Sequence, residues 1–177
     1  IRPADGNETM AAWKTALEAT DHPTVLALSR QNLTTLPTSK ENAVDGVNRG
    51  AYIVSPSEKE LSDALLIATG SEVSLAYSAQ QELKKEGIDV AVISMPSWDM
   101  FEKQDQAYKH SVLNPKVKKR LSLELSNPLG WERYVGDEGK ILGIDGFGAS
   151  APGELVIEKF GFNVENVKSL VKELLNK

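Results

Sequence analysis

Apolar and polar positions along this chain fall into two kinds of run, and the two kinds take turns. Ala64-Leu65-Leu66-Ile67-Ala68 and Val90-Ala91-Val92-Ile93 are short and continuously apolar, the mark of strands buried on both faces in a parallel sheet. Tyr52-Ile53-Val54 reads as a further short strand, Leu121-Ser122-Leu123-Glu124-Leu125 as an alternating one, and Lys140-Ile141-Leu142-Gly143-Ile144 as another. Between them the apolar residues recur at helical spacing. Val73, Ala76, Tyr77, Gln80 and Leu83 follow Ser71 as a cap and stop at Gly87, and Val164, Val167, Leu170, Val171 and Leu174 follow Asn163. The stretches Trp98 to Ser111 and Trp131 to Val135 are read as helical, and Pro152 suits a first helical turn. Strand and helix alternating four times predict an α/β fold, a three-layer α/β/α sandwich on a mostly parallel, mixed sheet.

The first 50 residues follow another pattern. Asn7 is a candidate cap for a helix carrying Met10, Trp13 and Leu17 on one face, closed by Asp21-His22-Pro23 ahead of an apolar strand, Thr24-Val25-Leu26-Ala27-Leu28. One helix and one strand make no core, so this piece must lean on a sheet outside the chain or on the rest of it. From Thr34 to Gly50 the composition turns polar with no sustained period of 2 or 3.6, which reads as a linker. The division expected is therefore 1–36, the end of one domain; 37–50, a linker; and 51–177, a second domain. Ile1-Arg2-Pro3-Ala4-Asp5 resembles neither an initiator nor a signal peptide, so the chain reads as cut from something longer.

Composition narrows the function classes. The 177 residues carry 20 Lys plus Arg against 25 Asp plus Glu, and a net charge of -5 opposes nucleic-acid binding, which the short cluster Lys116-Val117-Lys118-Lys119-Arg120 is too small to reverse. No apolar run approaches the roughly 20 residues that span a bilayer. Cysteine is absent, which removes thiol chemistry and fits a reducing, cytoplasmic location. Two histidines, His22 and His110, leave little for a metal and sit at no triad or ligand spacing.

Arg30 is the residue that points most directly at a ligand. It follows the apolar run 24–28, where a strand ends and a pocket begins in open α/β sheets, and its guanidinium offers a permanently charged fork that matches phosphate or carboxylate. The structural alternative is that Ser29-Arg30-Gln31-Asn32 orders a loop or pairs with Asp5 or Asp45. Two glycine turns are also candidates. Thr69-Gly70-Ser71 turns a strand into a helix and would present N–H groups to an anion, although tight βα packing explains it as well. Gly146-Phe147-Gly148-Ala149-Ser150-Ala151 satisfies G-x-G-x-x-A, but too little chain follows for a dinucleotide unit, and a turn that brings the last helices against the sheet accounts for its small residues.

Arg2-Pro3-Ala4-Asp5, Ala12-Trp13-Lys14, Pro23-Thr24, Leu28-Ser29-Arg30-Gln31-Asn32-Leu33, Arg49-Gly50-Ala51-Tyr52, Ile67-Ala68-Thr69-Gly70-Ser71-Glu72-Val73, Ser94-Met95-Pro96-Ser97 and Phe147-Gly148-Ala149-Ser150-Ala151-Pro152, in that order, resemble the carboxyl-terminal part of transketolases. The resemblance implies that 1–36 ends a pyrimidine-binding domain and 51–177 is the family's C-terminal domain. It implies a homodimeric transferase of the pentose phosphate pathway that moves a two-carbon ketol unit from a ketose phosphate to an aldose phosphate. Thiamine diphosphate and Mg2+ (or Ca2+) would be cofactors of the full-length enzyme, held by parts absent from this chain, so neither cofactor nor turnover is expected here and no catalytic residue is assigned. Arg30 matches the family's arginine that grips the substrate phosphate. For the C-terminal domain two roles are expected as alternatives: an assembly element joined to the remaining domains, or a regulatory module for a small ligand such as a nucleotide or sugar phosphate at the Gly70 or Gly148 turn.

Overall fold

In the computed structural model, which describes residues 1–176, five strands form one sheet in the order β1-β3-β2-β4-β5. They are β1 (Tyr52–Ser55), β2 (Ala64–Ala68), β3 (Val90–Ser94), β4 (Arg120–Leu123) and β5 (Lys140–Leu142). β1 runs antiparallel to β3, and every other pairing is parallel, with Ala64 opposite Val90 and Leu65 opposite Arg120. The mixed sheet is the one expected. Lys177, the last residue of the predicted second domain, lies outside the described residues.

Alternation along the central strands builds two cores. Leu66, Val92, Leu121 and Leu123 face one side, where they meet Val73, Ala76 and Leu83 of α3 (Glu72–Lys85) and Val167 and Val171 of α8 (Val164–Leu174). Leu65, Ile67, Ala91 and Ile93 face the other, against Phe101, Val112, Trp131 and Tyr134 from α4 (Trp98–Glu102), α5 (Gln106–Val112) and α6 (Glu132–Val135) with its flanks. Strands enclosed on both faces need apolar residues at every position, which is why Ala64–Ala68 and Val90–Ile93 are unbroken runs. Trp98, Trp131 and Tyr134 meet edge to face, with centroids 5.0 and 5.2 Å from Trp98. These rings are packing residues.

Helix ends depart from expectation in detail. The Asn163 side chain accepts from the Asn166 N–H at 2.9 Å, as its sequence position predicts, whereas Ser71 makes no capping bond and its hydroxyl donates instead to Glu72. Pro152 stands one residue before α7 (Gly153–Lys159) rather than within it. α7 buries none of its residues, and a Cβ at Gly148 would meet nothing within 4 Å. The expectation that small residues at 146–151 bring the last helices close to the sheet is therefore wrong. Gly146 is required only by its own backbone, at φ +141°.

The first 50 residues form two helices, α1 (Gly6–Glu18) and α2 (Ser39–Arg49). Asp5, not Asn7, caps α1, accepting the Glu8 N–H at 2.9 Å. Met10, Trp13 and Leu17 do share a face, but that face is exposed, and the side turned inward carries Glu8, Ala11 and Ala12. α2 occupies the stretch read as an interdomain linker without a sustained period. Its buried apolar residues Ala43, Gly46 and Val47 have helical spacing but are too few and small to register as a period; Ala43 and Val47 are covered by α1, and Gly46 lies against the Tyr52 ring of β1.

A buried polar hub ties these helices to the sheet. The Glu8 carboxylate, fully enclosed, accepts from the Ala4 N–H (2.8 Å), the Tyr52 hydroxyl (2.9 Å) and the Ser94 hydroxyl (2.6 Å). Asp5 beside it accepts from the Leu36 N–H and the Ser39 hydroxyl. Burial pushes the Glu8 carboxyl above the usual carboxylate range, against the pull of its three hydrogen bonds.

Candidate functional site

The route from β2 through α3 leads to β3 on one side, while β4 lies on the other side of β2. The crevice beyond the carboxyl ends of β2 and β4 is thus the switch point of the sheet, the place where open α/β folds bind ligands. Gln31 and Asn32 reach it from the first 50 residues and, with Ser71, Glu72, Ser74 and Phe162, line a cleft of about 220 Å³.

Arg30 stands next to this cleft at a bend in the chain. It is exposed, and among the described residues its guanidinium has no hydrogen bond or ion pair. Neither acid considered as its structural partner takes that part. Asp5 is committed to the hub and Asp45 pairs with Arg49 at 2.9 Å. The segment leading to it, Thr24–Leu28, is extended but is no strand here, which corrects the expectation. A strand needs a neighbour along its length, and this one has a single rung: the Ile1 nitrogen donates to Val25 O at 2.7 Å and the Ala27 N–H donates to Ile1 O at 2.9 Å. Val25 and Leu28 accordingly remain 76% and 54% exposed.

The bottom of the crevice is filled by Arg2. Its N–H donates to Pro96 O (2.8 Å) and its carbonyl accepts the Gly70 N–H (3.2 Å). Its guanidinium donates to Thr69 O (2.8 Å) and pairs with the carboxylates of Glu72 and of Glu124, the latter at 3.1 Å. Burial pushes the Glu124 carboxyl up, Arg2 draws it back down, and Glu72 adds to the upward push. Gly70 has φ +58°, and a Cβ there would come within 2.8 Å of the Arg2 side chain. The turn is glycine because the arginine lies on it, and its N–H, the group an anion would need, already has a partner.

Residues at the other candidate positions do not join this site. His22 lies exposed with its Nδ1 2.6 Å from Asp21, which it holds below the usual carboxylate range. His110 belongs to a separate depression lined by Lys109, Lys118 and Arg133. The Gly146 to Ala151 turn is exposed throughout, with Phe147 wholly in solvent. Sequence reasoning missed the clamp formed by Arg2, Glu72 and Glu124. The Arg2-Pro3 pair is visible in the sequence, but nothing local links it to two acids so far along the chain.

The family description "Transketolase-like TK C-terminal domain" matches residues 50–163. The chain belongs to the transketolase family. It is 60% identical over 177 residues to the transketolase of Bacillus subtilis (strain 168), covering 100% of this chain and 26% of that relative. Among solved structures it resembles transketolase from Leishmania mexicana, with TM-score 0.91 and 40% identity over 99% of this chain and 25% of that one. It also resembles the Pichia stipitis transketolase solved in complex with sedoheptulose 7-phosphate, with TM-score 0.89 and 38% identity over 99% of this chain and 25% of that one. The chain spans about a quarter of the length of these transketolases and carries their C-terminal domain, in the α/β architecture read from its sequence.

A thiamine diphosphate and divalent-cation site does not fit the residues present. Among the described residues no three His, Cys, Asp or Glu side chains group around a possible cation, and the Gly70 turn is taken by Arg2. Among the described residues no helix is long and apolar enough to cross a membrane.

Proposed function

We propose that this chain is the part of a transketolase that presents Arg30 to the phosphate of a sugar substrate, and that the whole protein transfers a two-carbon ketol unit from a ketose phosphate to an aldose phosphate. The observation that carries this reading is the exposed, unpaired Arg30 guanidinium beside a cleft at the carboxyl ends of β2 and β4. A solved relative holding a sugar phosphate supports the substrate class. Gripping a dianion that does not react lets the enzyme use remote binding energy to orient the sugar at its reacting end. In the proposal thiamine diphosphate and Mg2+ (or Ca2+) are held by the remaining domains, so that this portion alone does not turn over, and the complete enzyme is a cytoplasmic homodimer.

Within that enzyme the C-terminal domain is read as an assembly element. Leu129, Phe147 and Leu155 in that domain, and Met10, Trp13 and Leu17 in the segment before it, leave apolar side chains exposed that the remaining domains would cover. The alternative of a regulatory ligand module has less support, because Arg2 occupies the Gly70 turn and the Gly148 turn opens a helix of only seven residues.

In the full-length enzyme, Arg30→Ala is expected to raise KM for phosphorylated ketoses at least tenfold, in line with loss of a charge-assisted contact. Activity on unphosphorylated ketoses should change little. Equal losses on both classes would refute the phosphate role.

A further inference from the structure

We propose that Arg2 is a positioning residue through which the C-terminal domain sets the place of Arg30; this rests on the reading of Arg30 as the phosphate grip. Arg2 is held from several sides by that domain, through Pro96 O, Gly70 N–H, Thr69 O, Glu72 and Glu124. Its immediate neighbour Ile1 makes, among the described residues, the only rung on the extended segment, to Val25 and Ala27, the latter three residues before Arg30. On the far side of Arg30, Gln31, Asn32 and Leu33 border the same cleft as Ser71, Glu72, Ser74 and Leu75 at the start of α3. The segment bearing Arg30 is thus tied on its leading side to the Gly70 turn and the start of α3, and Arg2 is the ionic part of that tie.

The chemistry of the clamp fits positioning better than a binding role. The Glu72 side chain is 3% exposed and that of Glu124 13%, so their charges face Arg2 rather than solvent. A guanidinium meets a carbonyl and two carboxylates at once because its donors are spread over a rigid plane; a lysine ammonium has no such span. With the charge removed, two carboxylates would face each other in a poorly hydrated crevice and force the turn apart. Displacement by about 1 Å at a substrate-orienting group is enough for a large kinetic loss.

The test uses the full-length enzyme with phosphorylated and unphosphorylated ketose donors. Arg2→Met is expected to raise KM for the phosphorylated donor about tenfold while kcat stays within about twofold and the unphosphorylated donor is unaffected. In the Arg2→Met, Arg30→Ala double variant no further loss is expected beyond Arg30→Ala, because both act at one contact. Losses that multiply, or a kcat reduced equally on both donors, would overturn the proposal. Hydrogen exchange at Ala27, whose N–H donates to Ile1 O, reads the positioning apart from phosphate chemistry. Faster exchange in Arg2→Met supports the linkage and unchanged exchange overturns it, even where Arg30→Ala alone shows that the phosphate reading has failed. Should Arg2→Met not fold, Arg2→Lys keeps the charge but cannot span all three acceptors. A smaller rise in KM with faster exchange supports the proposal, and wild-type values of both overturn it.

Discussion

Replacing Glu8 by Gln tests whether the buried hub is held by a carboxylate at a cost. In the folded protein Oε2 accepts the Ala4 N–H, while Oε1 accepts the Tyr52 and Ser94 hydroxyls. A glutamine amide can keep the two hydroxyl bonds but turns an NH2 group toward the Ala4 N–H, so one buried donor is left facing another. An unsatisfied buried group costs about 1–3 kcal/mol, and that is the loss expected near pH 4. The loss should shrink as pH rises. Burial raises the folded pKa of Glu8 above its unfolded value, so the folded state binds the proton more tightly. The stability this gives is fully present below the unfolded pKa, about 4.3, and is lost as pH climbs through the folded value. Each tenfold in that proton affinity is worth about 1.4 kcal/mol. Glutamine has no such titration, so urea denaturation of both proteins from pH 4 to pH 8 should show the gap between them closing. A gap that widens with pH would mean that the hydrogen bonds outweigh desolvation at Glu8, and the account of the hub would be wrong.

Two further substitutions probe the packing around the site. Trp131→Ala removes a side chain only 1% exposed that meets Trp98 and Tyr134 edge to face, and should cost about 3–5 kcal/mol in chemical denaturation. A loss under about 1 kcal/mol would show that this core collapses to fill the space. Gly46→Ala places a methyl 2.2 Å from the Tyr52 ring, whose hydroxyl is tied to Glu8, so the ring has no free path to retreat. Overpacking of about 1–3 kcal/mol is expected, read as a lowered unfolding midpoint, and a neutral result would mean that α2 shifts as a unit.

The parts of the fold legible in the sequence are those whose pattern is set by one neighbour on each face. β2 and β3 read as continuous apolar runs because helices cover both sides, and α8 shows its stripe because one of its faces is received by α3 and β4 together. α2 is illegible for the opposite reason. Its contact is made by Ala43, Gly46 and Val47, whose small size serves close approach and carries little hydrophobic signal. The stripe Met10, Trp13 and Leu17 is real, but periodicity shows only that a face is apolar, not which body covers it. The same limit applies to Thr24–Leu28, whose composition is that of a strand without the neighbours a strand requires. Arg30 stands out by residue type and by its place after an apolar run. Its supports do not, since ion pairs between Arg2, Glu72 and Glu124 leave no periodic trace.

The occupied crevice bears on how this domain uses its fold. A doubly wound sheet exposes helix N-termini and strand ends at its switch point, and the free N–H groups there attract anions when nothing else meets them. Here the Gly70 N–H is met by a carbonyl, and the region receives a cation held by two carboxylates. That combination reverses the electrostatic preference of the crevice, because Glu72 and Glu124 together outnumber the one positive charge they hold. An anionic ligand entering beside them would meet net repulsion, while Arg30, outside the acidic pair, keeps its charge directed to solvent. The two arginines thus divide the work by position. Arg2 binds the segment to the domain and offsets only part of the crevice's negative charge, and Arg30 is left as the group that can take a phosphate.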